Sequence, residues 1–127
     1  MLKKKIVSLV SVTFLFLSIG TSAFAIGNVG TASVTGNDIS STSPYVDGLG
    51  HYGTVSLSVT DGGARVAVYE KCTYQWVQAF DSFSVITKEN ESGTDGRAFI
   101  MENGCQYKAD IYGIKVKSAS VRLSNGF

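Results

Sequence analysis

Two cysteines, one histidine and ten carboxylates are the side chains of this 127-residue chain with the most obvious chemical potential. Cys72 and Cys105 stand 33 positions apart, with no CxxC spacing and no histidine or acid at ligand spacing beside either. An even cysteine count in a small exported domain points to one structural disulfide. Closing that loop is worth about 3.5–4 kcal/mol on the chain-entropy estimate. His51 sits among Gly48, Gly50 and Gly53 and reads as a solvated loop residue, with no G-x-S-x-G elbow to make it a catalytic base. The acids Asp47, Asp61, Glu70, Asp81, Glu102 and Asp110 are dispersed, several at turns, and suggest no carboxylate pair for glycoside hydrolysis. Residues 89–96, Glu-Asn-Glu-Ser-Gly-Thr-Asp-Gly, cluster oxygens but lack the spacing of a calcium loop, so a solvated polar loop is expected. No catalytic residue, metal or cofactor is expected from this inventory.

The aromatic residues offer more. Tyr107 and Tyr112 lie five apart on one strand pattern, so they point to opposite faces of a sheet. With Tyr107 inward, Tyr112 is outward, and with Tyr52 and Tyr69 it makes a candidate exposed platform. Such platforms bind sugars or partner proteins. Tyr74, Trp76 and Phe80 alternate on a neighbouring strand pattern and read as core.

The elements that must position these residues follow an export signal. Lys3, Lys4 and Lys5 precede an uncharged apolar run from Ile6 to Ile19, too short to span a bilayer. Ala23-Phe24-Ala25 is a small-residue cleavage site, so residues 1–25 read as a signal peptide and Ile26 as the mature N-terminus. The chain is thus expected to be secreted and extracellular. Three of the 11 basic residues leave with the signal and none of the 10 acidic ones, which leaves eight cations against ten anions, a net −2. That balance, without basic clusters, argues against nucleic acid and against an anionic membrane surface as partners.

Residues 26–44 are rich in Gly, Ser, Thr and Asn and read as a flexible leader, with the folded domain at residues 45–127. Within it Val55, Leu57 and Val59 alternate with small polar residues, the period of a half-buried strand. Asp61-Gly62-Gly63 reads as a hairpin turn into a return strand bearing Val66 and Val68. Further strand patterns run through Phe83-Val85, residues 98–101, Cys105-Tyr107-Ala109-Ile111 and Val121-Leu123, and no stretch has helical spacing. About seven short strands in a hundred residues indicate an all-β, antiparallel two-sheet β-sandwich.

Trp76, the run Gly104-Cys105-Gln106-Tyr107-Lys108-Ala109 and the final alternating strand resemble the small secreted immunoglobulin-like or fibronectin-type-III-like sandwiches of Gram-positive bacteria. The resemblance covers roughly residues 55–123. It departs from the antibody pattern, where a corner tyrosine precedes the second cysteine by two; here Tyr107 follows Cys105 by two. It implies an immunoglobulin-like fold and no particular activity. The function expected is a non-enzymatic interaction or structural domain whose partner is an extracellular protein or glycan. A secreted antibacterial protein or toxin is the alternative, although no cationic amphipathic segment supports membrane attack. The residue inventory disfavours a small hydrolase.

Overall fold

The computed structural model describes residues 28–36 and 38–126; the expected signal peptide lies outside the described residues. The described chain forms strands β1 (Val29–Thr35), β2 (Ser40–Thr42), β3 (Val46–Asp47), β4 (His51–Thr60), β5 (Gly63–Lys71), β6 (Trp76–Gln78), β7 (Phe83–Ile86), β8 (Ser92–Met101), β9 (Gln106–Ile114) and β10 (Ser118–Ser124). Their pairings are antiparallel and build two sheets. Sheet one has the order β1-β10-β4-β8; sheet two has the order β2-β9-β5-β6, with β3 also on β9 and β7 also on β5. The period-two patterns determine which sides meet. Val34, Val55, Leu57, Val59, Val121 and Leu123 from sheet one close on Val46, Val66, Val68, Tyr107 and Ile111 from sheet two, all buried.

The sandwich is the one expected, but its strand order is not an immunoglobulin's. Taking β2 with β3, and β6 with β7, as two interrupted strands leaves eight, in the orders 1-8-3-6 and 2-7-4-5. That is the double Greek key of a jelly roll. An immunoglobulin constant-type sandwich instead runs ABED against CFG. The difference begins at the N-terminus. The segment expected to be a flexible leader supplies β1, paired along its length with β10 from Val29 opposite Ser124 to Thr35 opposite Ser118, and β2, paired with β9. Ala32 and Val34 are buried, so residues 28–44, apart from position 37, contribute to the folded unit. The apolar side chains that hold this segment are small and few, and its partner in sheet one lies at the far end of the chain.

A second expectation is corrected at Asp61-Gly62. The turn forms, with φ of 58° and 129°, but it does not join paired strands. It carries the chain from β4 in sheet one to β5 in sheet two. Its backbone is held by other loops: Asp61 N–H donates to the Glu91 carbonyl at 2.8 Å, Lys117 N–H donates to the Asp61 carbonyl at 2.8 Å, and Thr87 N–H donates to the Gly62 carbonyl at 2.7 Å. Three non-local contacts thus set the direction that local turn chemistry leaves open.

The lone proline has a readable role. Thr42 lies opposite Asp110 and Val46 opposite Tyr107, so three residues, 43–45, face two on β9: a bulge. Pro44 has no N–H for the ladder. Ser43 compensates on both sides, its N–H donating to the Ala109 carbonyl and its Oγ accepting from the Ala109 N–H, each at 2.9 Å. The extra residue also re-aims Tyr45, which stands half exposed on the outer side of sheet two while Val46 is buried.

Candidate functional site

The outer face of sheet two follows from register. Directly paired residues share a face. Arg65 lies opposite Tyr112, Ala67 opposite Asp110, Tyr69 opposite Lys108 and Lys71 opposite Gln106. On the other flank of β5, Tyr69 pairs with Gln78 and Lys71 with Trp76. Alternating Val66, Val68, Tyr107, Ala109 and Ile111 point the other way, into the core. The strand period therefore raises rings and cations together on one surface.

The contacts join them into a stripe. The Arg65 guanidinium stands 5.0 Å from the centre of the Tyr112 ring. The Lys108 Nζ is 5.7 Å from the Tyr69 ring and 4.7 Å from Trp76. The Lys71 Nζ is 5.0 Å from Trp76 and 5.6 Å from Tyr45, and the Tyr45 and Trp76 rings meet at 5.1 Å. Partial burial first, then the neighbouring Asp110 carboxylate and Tyr69, push the Tyr112 hydroxyl above its ordinary pKa. Ala67, the small residue between the tyrosine rows, is almost fully buried although it faces outward. Asp110 accepts a hydrogen bond from the Thr42 hydroxyl at 2.8 Å. Among the described residues the one ion pair is Arg97–Asp95, so Arg65, Lys71 and Lys108 face rings and no carboxylate at ion-pair distance.

At the Lys71 end the stripe meets a cleft of about 450 Å³, lined by Asp47, Gly48, Leu49, Lys71, Thr73 and Gln106 among others. The Cys72–Cys105 disulfide is part of its lining, with Cα atoms 4.1 Å apart. The bridge ties the end of β5 to the start of β9, neighbours in one sheet; an antibody's bridge crosses between sheets. Below it Tyr107 is buried. Its hydroxyl donates to Glu70 Oε2 at 2.6 Å and accepts the Glu102 N–H at 2.7 Å. Burial foremost, and the Glu70 carboxylate, push its pKa up to about 12. Glu70, Cys72, Glu102 and Cys105 bring ligand atoms within 4.8 Å of one another. Both sulfurs are in the disulfide, and the thiolate is the form that binds metal, so this cluster is not a metal centre in the oxidised protein.

The structure brings together two of the three tyrosines expected to form a platform. Tyr69 and Tyr112 lie on the stripe; Tyr52 does not. Tyr52 is 64% exposed on β4 of sheet one, opposite Ile100. Sequence parity set Tyr107 and Tyr112 on opposite faces, and the structure turns Tyr107 inward and Tyr112 outward, but parity cannot tell which sheet a strand joins. The core reading holds for Phe80 and is corrected for Tyr74 and Trp76. Phe80 packs against the core, Tyr74 is 90% exposed, and Trp76 is half-buried on the outer face. Strand β6 is only three residues long, so alternation beyond it carries no face information. Missed altogether were Tyr45, re-aimed by the bulge, and the cations Arg65, Lys71 and Lys108. Alternation of Arg65, Tyr69 and Lys71 on one strand was the available signal.

His51 is exposed at the head of β4, on the other sheet from the stripe, its Nδ1 3.2 Å from the Tyr52 carbonyl. The expected polar loop at residues 89–96 is mostly strand: a turn at Asn90 leads into β8, which begins at Ser92. Asp95 there pairs with Arg97 at 2.8 Å, and that hydrogen bond, the largest cause, holds the Asp95 carboxyl below its ordinary pKa.

No protein-family model matches the sequence, and no curated protein does. Among solved structures, the chain is similar to the globular domain of zebrafish complement 1qA, at 10% identity over 76% of this chain and 94% of that one, TM-score 0.45. It is similar to murine APRIL, at 8% identity over 76% and 98%, TM-score 0.43. It is similar to TmCBM61, solved with β-1,4-galactotriose, at 14% identity over 80% and 90%, TM-score 0.33. Likeness this distant carries nothing about function. No helix among the described residues is long and apolar enough to cross a membrane.

Proposed function

We propose that this chain is a secreted, non-catalytic binding domain that takes a glycan on the outer face of sheet two. The observation that carries the reading is the stripe itself: Tyr45, Trp76, Tyr69 and Tyr112 interleaved with Arg65, Lys71 and Lys108. Aromatic rings offer apolar faces to the C–H faces of sugars, and their hydroxyl and indole edges offer hydrogen bonds. The flanking cleft adds the backbone and side chains of Gly48, Thr73 and Gln106. Binding residues on a rigid sheet keep their geometry without a lid or loop closure. Secretion rests on the segment of residues 1–25, and intact mass of the exported protein should show Ile26 first.

The test is retention of the mature protein in gels containing glycans, beside its Trp76→Ala variant. The variant is expected to lose retention while remaining folded. Equal retention of both proteins on every bound glycan would overturn the reading.

A further inference from the structure

We infer that the glycan is anionic, a chain of sugar rings bearing carboxylates, and that Arg65, Lys71 and Lys108 select it. This rests on the glycan-binding reading above and narrows it. The charges on the stripe are held by rings. A cation on a protein surface is commonly placed beside a carboxylate, which fixes it and cancels its field. Here the three cations are placed by rings, at 4.7 to 5.7 Å, with no ion-pair partner. A ring orients a cation without neutralising it, and at an exposed site the attraction is weak enough for the cation to turn to an arriving anion.

The spacing suits a chain more than a single small ion. Arg65 and Lys71 are six residues apart on β5, about 20 Å at the strand rise, with Lys108 across from Tyr69 between them. Positive charge thus recurs along a line of rings. The acids on this face are Asp110, held by Thr42, and Asp47, opposite Gln106 at the Lys71 end. The stripe therefore carries more positive than negative charge, although the chain after residue 25 is net negative. A local excess of cations on an acidic body favours a ligand whose charge meets only this face. A nucleic acid also offers rings and anions, but a dense phosphate backbone extending past the stripe would meet the net negative remainder.

Calorimetric titration of the mature protein with two oligosaccharides of equal length, oligogalacturonate and neutral oligogalactan, tests the inference. A dT oligonucleotide of similar contour length forms a third arm. The acidic oligosaccharide is expected to bind about tenfold tighter than the neutral one, as one good charge-assisted contact allows. That preference should shrink as salt rises. Lys108→Gln and Arg65→Gln should each erode it, while circular dichroism shows the sheets intact. Equal binding of the two oligosaccharides, with no effect of salt or of either substitution, would overturn the anionic assignment and leave the glycan reading standing. Tighter binding of the oligonucleotide would also overturn it. Binding to neither oligosaccharide would take away the glycan reading itself.

Discussion

The two sheets turn opposite kinds of surface to solvent. The outside of sheet one is paved mostly with small polar side chains, Thr31, Ser33 and Thr35 on β1, Ser118 and Ser120 on β10, Ser56 and Ser58 on β4 and Thr94 on β8, broken by Arg122 and by the exposed pair Tyr52 and Ile100 at one end. Cross-strand hydroxyls meet there, Ser58 with Thr94 at 3.3 Å and Thr60 with Ser92 at 3.2 Å. Such pairs support a sheet modestly and present little to grip. The outside of sheet two carries four rings and three cations in mutual contact. Both sheets bury the same kind of aliphatic layer, so the fold does not require the difference. A fold needs only solubility from its outer faces, and sheet one meets that need with serine and threonine. The rings of sheet two exceed it.

Breaking the scaffold of the richer sheet should have the largest effect. Cys72→Ser releases the tie between β5 and β9, the two strands that carry most of the stripe, and is expected to lower stability by about 2–5 kcal/mol, read from urea unfolding. Peptide mapping without reductant should link Cys72 to Cys105 in the parent.

The Tyr107 hydroxyl gives the next effect. Its pKa in the folded chain is about 12, against 10 for an ordinary tyrosine. The folded state therefore holds a proton that the unfolded state loses. Its contribution is full below pH 10 and is lost as pH rises from 10 through 12, by about 2–3 kcal/mol at the far end. Tyr107→Phe should flatten that alkaline decline in a stability–pH profile. At neutral pH it should cost about 1–3 kcal/mol, because Glu70 and the Glu102 N–H lose their partner.

Two substitutions on sheet one sharpen the contrast. Ser58→Ala on sheet one should change neither glycan binding nor stability by more than about 0.5 kcal/mol. Asp95→Asn on edge strand β8 should act weakly and only at one end of the pH range. The Asp95 pKa is depressed in the fold, so its contribution is present above the ordinary carboxylate value and is lost as pH falls through the folded one. Arg97 and Asp95 are both about 45% exposed, which keeps the effect small. Acid unfolding midpoints of parent and variant, compared at low and moderate salt, measure it.

Much of this architecture is legible in the residues, and the illegible parts have physical causes. Val55-Leu57-Val59 and Tyr107-Ala109-Ile111 declare their strands because apolar bulk alternates cleanly with polar residues over several positions. β1 hides because its buried positions are Gly30, Ala32 and Val34, too little bulk to stand out, and because its partner β10 is about ninety residues away. The turn at Asp61 is visible, but its destination depends on Glu91, Thr87 and Lys117. Of the stripe, the outward direction of Tyr112 follows from parity with Tyr107. Tyr45 needed the bulge at Pro44, and Trp76 needed the pairing of a three-residue strand with Lys71, neither of which periodicity encodes.

The central claim is that the outer face of sheet two recognises a ligand. Its most direct measurement sets Trp76→Ala beside Ser58→Ala, each titrated with the same bound glycan and each melted. Trp76→Ala is expected to weaken binding by about 2 kcal/mol or more while lowering stability by only about 1–2 kcal/mol, since the ring is half-buried on the outer face and outside the core. Ser58→Ala should match the parent in both. A Trp76→Ala protein that binds as the parent does, or that loses binding only because it unfolds, would contradict the account.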